Sequence, residues 1–311
     1  MADEREPEAA PQKQSAVRTK ITSARQKWPW FDRVMRLNEH YGAVDGNLLA
    51  GGITYFGFLS FFPILALAFA VVGYISHVYP GANDNLTTAI QQVLPGIVSE
   101  GPAPGKISLE QIQGSAAAAG LLGLVGVLYA GLGWITALRQ GLAAAFVEPA
   151  EEKPNFVKGK LTDLAMLAIL GAVLIASVGV SGAVTGFAGQ ITEAVGLSGP
   201  VGGVLLWLLA IVVGIAASTV LFAVMYMFLA KSSLPRRALW GGAVLAALGF
   251  EALKALAVFI LDGAGGSAFA PLALSITLLV WINYFSRLAV YGAAWACTSQ
   301  RDAVAIVAAG T

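Results

Sequence analysis

Four ionisable side chains, Arg139, Glu251, Lys254 and Arg287, stand within or at the edge of stretches that are otherwise apolar. A charge at the centre of a bilayer costs at least about 2.5–3.5 kcal/mol on insertion scales, so such groups turn towards a helix bundle or a water-filled cavity and find partners. Three cations against one carboxylate do not neutralise one another. Two readings follow. Either the four form a structural ion-pair network, with Arg139 reaching towards the headgroups, or their net positive charge receives an anionic headgroup or solute. Lys254 is three residues after Glu251, a spacing at which side chains on one helix meet.

The elements that must position these groups are membrane spans. Residues 46–83, 114–138, 164–192, 194–230, 238–250 and 263–286 contain no Asp, Glu, Lys or Arg. About 20 apolar residues in a helix cross the hydrocarbon core. The run that starts at Ala238 reaches that length only if Glu251 and Lys254 enter the bilayer. Spans are expected over 48–76, 115–147, 161–188, 200–230, 237–262 and 270–298. The fold class is therefore all-α: a polytopic membrane protein of six transmembrane helices with added interfacial or amphipathic helices. Composition agrees, with 57% hydrophobic and 12% charged residues, where soluble domains are about a quarter charged. At 1.5 Å per residue, Arg139 lies roughly 12–14 Å, Arg287 roughly 16 Å and Glu251 roughly 20 Å from the cytoplasmic ends of their spans. Lys254 lies near or beyond the midplane.

Lys and Arg segregate around these spans. Arg5, Lys13, Arg18, Lys20, Arg25, Lys27, Arg33 and Arg36 precede the first span. Lys153, Lys158 and Lys160 fall in the second connection, Lys231, Arg236 and Arg237 in the fourth, and Arg301 in the tail. The connection 77–114 on the other side has only Lys106, and the remaining two have none. Cytoplasmic loops are the ones enriched in Lys and Arg. Both termini are thus expected in the cytoplasm and loop 77–114 outside. Residues 1–27 read as a disordered cytoplasmic tail without the apolar core of a cleavable signal peptide.

Residues 28–47 carry Phe31, Val34, Leu37 and Tyr41 at helical spacing behind Trp28 and Trp30. This is the pattern of an amphipathic helix in the membrane interface; the alternative is a solvated helix docked on the bundle. The membrane domain covers 48–298, and 299–311 form a cytoplasmic tail. In loop 77–114, Leu86, Ile90, Val93, Leu94 and Ile97 share one helical face, and Leu109 and Ile112 suggest a shorter piece beyond Pro102, Pro104 and Gly105. Helices there would cover the outer end of the bundle.

The chain holds 36 glycines. Gly182-xxx-Gly186, Gly199-xxx-Gly203 and the series Gly120, Gly123, Gly126, Gly131 and Gly133 point to tight helix packing. Pro63 lies within the first span and lacks the donor its helix needs. It is a candidate hinge or a packing device, with Ser60 or Thr54 expected to help satisfy the freed groups near Leu59.

Several classes are excluded or unsupported. One cysteine, Cys297, rules out an intramolecular disulfide, and two histidines, His40 and His77, leave little for a metal site or catalytic dyad. No Walker loop, GxSxG or HExxH occurs, and no paired carboxylates stand at helical spacing in a span. No catalytic residue, cofactor or metal is expected, and the protein is not read as an enzyme. The expected partners are membrane lipids, not nucleic acid, with oligomerisation open.

The string Ala50-Gly51-Gly52-Ile53-Thr54-Tyr55-Phe56-Gly57-Phe58-Leu59-Ser60-Phe61-Phe62-Pro63 resembles the hallmark of the YihY/virulence factor BrkB family of bacterial inner-membrane proteins. Leu234-Pro235-Arg236-Arg237-Ala238 with Glu251-Ala252-Leu253-Lys254 is similar to that family's fifth span. Trp281-Ile282-Asn283-Tyr284-Phe285-Ser286-Arg287 with Ala293-Ala294-Trp295 resembles its YhjD branch. Where many relatives carry Glu near the end of the sixth span, this chain has Ala294. The resemblance implies six helical spans and, through the YhjD branch, a link to moving lipid A-type glycolipid precursors. The expectation is a transporter or flippase-like protein for an amphiphilic or anionic lipid-linked substrate. The alternative is a scaffold or envelope-assembly partner.

Overall fold

A computed structural model describes residues 22–75, 98–99, 107–108, 123–148, 159–173, 200–261 and 270–309, nearly all of them helical. After a short helical stretch over 22–27, α1 (Pro29–Ala43) opens with proline at its first position, where a missing N–H costs nothing. The chain then turns through Asp45, at a left-handed φ of 52°, into α2 (Gly46–Ile75). Glycine is required at 46, because a Cβ there would stand 2.6 Å from the Tyr41 ring. Tyr41 in turn stacks on Tyr291, with ring centroids 3.8 Å apart and planes 4° from parallel.

The next helix runs over 123–145, through a π-helical turn at Val127–Gly131 into α3 (Leu132–Ala145). Then follow α4 over 159–173, α5 (Pro200–Val224) with a π-helical turn at Met225–Leu229, α6 (Arg236–Leu261) and α7 (Ala270–Ala309). Four stretches are long and apolar enough to cross a membrane: Gly46–Leu65, Ile211–Leu229, Arg236–Leu256 and Ser275–Ser299. Two short strands, β1 (Val98–Ser99) and β2 (Ile107–Ser108), pair in parallel between α2 and the helix over 123–145. They fall between the two helical pieces expected in that loop, where Val98 and Ile107 are β-branched residues suited to strands. The pieces themselves, the tail 1–21, Gly182, Gly186 and Gly199 lie outside the described residues. α7 continues unbroken through 299–309 to Ala309, a stretch with no glycine or proline to interrupt it.

α7 lies along α6 and α2 and touches α1 and α3, while α5 packs on α6. Bare backbone makes these approaches close. A Cβ on Gly242 would run into the Gly292 carbonyl, and one on Gly292 into the Tyr226 hydroxyl and the Gly242 carbonyl. Tyr226 is fully buried and donates to Ala289 O at 2.8 Å. On the other flank, a Cβ on Gly126 would lie 2.6 Å from the Pro63 Cβ. Pro63 sits inside a continuous α2, and its ring fills the space that Gly126 leaves. This favours the packing role over a hinge. Neither expected hydroxyl serves the Leu59 carbonyl: Ser60 donates to Gly57 O at 3.0 Å and Thr54 to Ala50 O at 2.6 Å.

One end of the bundle is tied by polar contacts between elements distant in sequence. His40 Nε2 donates to Ala145 O at 2.9 Å. Glu148 Oε1 accepts from Ser232 Oγ at 3.1 Å, Ser233 N at 2.6 Å and Ser233 Oγ at 2.8 Å. The Arg33 guanidinium lies 5.5 Å from the Trp295 ring centre. Lys231, Arg236 and Arg237 belong to the same connection as Ser232 and Ser233, so this is the basic end.

The glycine crossing is directly testable. Gly242→Val should destabilise the protein by about 1–3 kcal/mol, the usual cost of overpacking, seen as a lower midpoint of thermal unfolding in detergent. Gly171→Ala, where a Cβ meets nothing within 4 Å, should change stability by less than about 1 kcal/mol.

Candidate functional site

Among the described residues, Arg139, Glu251, Lys254 and Arg287 do not form one cluster: Glu251 pairs with Lys254, Arg139 with a further carboxylate, and Arg287 with neither. Glu251 on α6 accepts from Lys254 Nζ at 2.6 Å, one turn along the same helix. It also accepts from Ser218 Oγ of α5 at 2.9 Å. Gly214, one turn before Ser218, makes room for the carboxylate, since a Cβ there would lie 3.1 Å from Glu251 Oε2. The Lys254 ammonium lies 5.3 Å from the Phe250 ring centre, and Phe250 belongs to an aromatic cluster with Phe222, Trp281 and Phe285.

Arg139 does not join this group. Its Nε lies 3.2 Å from Asp163 Oδ1 on α4, and the Thr136 hydroxyl donates to Asp163 Oδ2 at 2.6 Å. Asp163 is buried, with 2% of its surface exposed. The sequence reading missed it although Asp163 lies within the expected span 161–188, because it stands at the edge of that span, one residue before the charge-free run begins. The available signal was an Asp immediately before 29 uncharged residues, 164–192. The tally of three cations and one anion therefore becomes three cations and two anions among the described residues, with Arg139 paired to a carboxylate.

Arg287 on α7 is brought to neither carboxylate. Among the described residues it forms no ion pair, and its Nε is buried without a hydrogen-bond acceptor. Its guanidinium lies 5.9 Å from the Tyr284 ring centre. Asn283, one turn from Arg287 on one side, donates from Nδ2 to Thr54 Oγ1 of α2 at 3.2 Å. Tyr291, one turn on the other side, stacks on Tyr41. Burial and the nearby Tyr291 phenol push the Tyr41 phenol up, and the positive charge of Arg287 opposes them. Arg287 is thus within electrostatic reach of α1.

Chemically, the arrangement offers two carboxylates that are paired and one guanidinium, that of Arg287, with no carboxylate beside it among the described residues. Among the described residues no three His, Cys, Asp or Glu side chains converge in the manner a metal ion needs. The two pairs consume each other's charge, and Arg287 leaves one positive charge over.

Residues 37–309 match the family model described as Virulence factor BrkB. The chain is 28% identical to the inner membrane protein YhjD of Escherichia coli (strain K12) over 297 residues, 92% of this chain and 86% of that protein. It is 30% identical to an uncharacterized protein of Dickeya dadantii (strain 3937) over 288 residues, 88% of this chain and 84% of the other. No solved structure matches.

The Arg139–Asp163 pair yields a sharp expectation. Asp163→Asn leaves a partly buried guanidinium without its counter-ion and should cost about 3 kcal/mol. Combining it with Arg139→Gln should recover most of that loss. Denaturant titration in detergent gives the four corners of the cycle, and two single changes that simply add would show that the groups do not interact.

Proposed function

The chain belongs to the virulence factor BrkB family, and from that premise we propose that it is a six-span protein of the bacterial inner membrane that moves an amphiphilic or anionic lipid-linked substrate. The observation that carries the reading is the charge balance of the helices. Two cations are matched by carboxylates, and the third, Arg287, is not matched among the described residues. Retaining an uncompensated cation costs stability, and an anionic substrate is what would use it. The YhjD name supports an inner-membrane setting, and the family link to lipid A-type precursors supports a lipid carrying phosphate.

The six-span count adds the helix over 123–145 and the helix that begins at 159 to the four long apolar ones. An even count leaves both termini on one side, and the Lys and Arg of the basic end support a cytoplasmic position for that side under the positive-inside rule. α1, with Trp28 and Trp30 exposed, would lie at the headgroup level of that side. The competing reading is a scaffold, favoured by the closed Arg139–Asp163 pair, which has no charge to spare.

Proteoliposomes separate the two. A fluorescently labelled anionic phospholipid should exchange between leaflets faster with the protein than without it, and Arg287→Gln should remove the acceleration. A wild-type protein that accelerates no lipid overturns the transport reading. Orientation has its own check. A cysteine at Asn83 in a Cys297→Ala background should react with an impermeant thiol reagent on intact cells; labelling only after the membrane is opened would reverse the topology.

A further inference from the structure

We propose that Arg287 anchors a binding site for the phosphate group of a lipid, entered sideways from the leaflet at the basic end through a groove between α2 and α7. The inference rests on the transport reading for its purpose but not for its geometry.

The geometry begins with register. α2 and α7 run antiparallel, because Thr54 meets Asn283 and the segment around Tyr41 and Asn47 meets Tyr291. Arg287 is four residues from both Asn283 and Tyr291, so it lies about 6 Å from each along α7. The facing level of α2 falls between Asn47 and Thr54, at Ala50 and Gly51. At 3.6 residues per turn, Gly51 stands about 60° round α2 from Thr54, and Arg287 about 40° round α7 from Asn283. In antiparallel helices these two rotations turn towards the same flank.

On that flank α2 presents no side chain at 51. Gly51 is exposed, and a Cβ there would meet nothing within 4 Å. Leu48, 74% exposed, and Tyr55, 60% exposed, lie further round on the same side of α2, and Tyr284 lies there on α7. Tyr41 of α1 lies by Tyr291 at the basic end of the groove. Above it sits a guanidinium whose Nε is shielded from water and has no acceptor. A buried donor left unmade is costly, and a guanidinium matches the paired oxygens of a phosphate with its fork of donors.

The flanking side chains decide the source. Leu48, Tyr55 and Tyr284 are large, apolar or aromatic, and outward-facing. Their apolar and aromatic surface suits acyl chains, and they add no charge that would hold a fully hydrated ion there. A phosphate that arrives here therefore comes attached to a lipid.

The test uses the purified full-length chain in detergent micelles. Titrated phosphatidic acid should bind and be retained in native mass spectra, whereas phosphatidylcholine and inorganic phosphate should not compete for it. Arg287→Gln should weaken phosphatidic acid binding by about tenfold to a hundredfold, as expected for charge-assisted hydrogen bonds. Arg287→Lys, which keeps the charge but not the fork, should fall between the two. Gly51→Leu should block binding with thermal stability unchanged, which keeps the test decisive if Arg287→Gln does not fold. Equal retention by wild type and Gly51→Leu overturns the groove, and equal retention by wild type and Arg287→Gln overturns the anchor. Inorganic phosphate binding as tightly as the lipid overturns the lipid source. Binding that follows these expectations in a protein that moves no lipid would sustain the site and sink the transport reading alone.

Discussion

A charge buried in an apolar bundle must be answered by another group, and most of the interior of this protein follows from that requirement. Glu251 is answered by Lys254 and Ser218, across a gap that Gly214 leaves in α5. Asp163 is answered by Arg139 and Thr136, joining α4 to the helix over 123–145. Both carboxylates accept from more than one donor, which is the condition under which a buried ion is tolerated. Arg287 departs from this pattern, and the functional reading depends on that departure.

The packing around these groups explains why an uncompensated cation is sustainable. α7 is held on both flanks by contacts that leave little freedom: the glycine crossing with α6 on one side, and Thr54 with the Tyr41 stack on the other. The basic end is tied further by His40 to Ala145 and by Glu148 to the turn at Ser232 and Ser233. A scaffold held at this end can keep one costly residue in place. Small residues do the same work along α2, where Pro63 occupies the space above Gly126.

Much of this was legible in the residues and some was not, for physical reasons. Long runs without charge read as helices because only helices satisfy their backbone in hydrocarbon. The Glu251–Lys254 contact was legible because both partners lie on one helix at a fixed spacing. The Asp163–Arg139 contact was not, because it joins two helices, and no fixed spacing along the chain shows which side chains of two helices will meet. Gly123, Gly126 and Gly133 were legible as packing residues, but their partners Leu67, Pro63 and Phe56 were not. Pro63 was ambiguous for a similar reason: a missing donor does not say whether a neighbour will fill the space around it. The strand pair at Val98–Ser99 and Ile107–Ser108 lies between glycine- and proline-rich segments, where helical periodicity carries no signal.

The central claim is that Arg287, unlike Arg139, has no counter-ion among the described residues, and comparing Arg287→Leu with Arg139→Leu tests it most directly. The midpoint of thermal unfolding is measured for both in an uncharged detergent stripped of lipid. Removing an unmatched cation should raise stability, and removing a matched one should lower it by about 3 kcal/mol by stranding Asp163. A higher midpoint for Arg287→Leu with a lower one for Arg139→Leu is the expected result. An equal loss for both would mean that Arg287 is matched inside the fold, and would contradict the account.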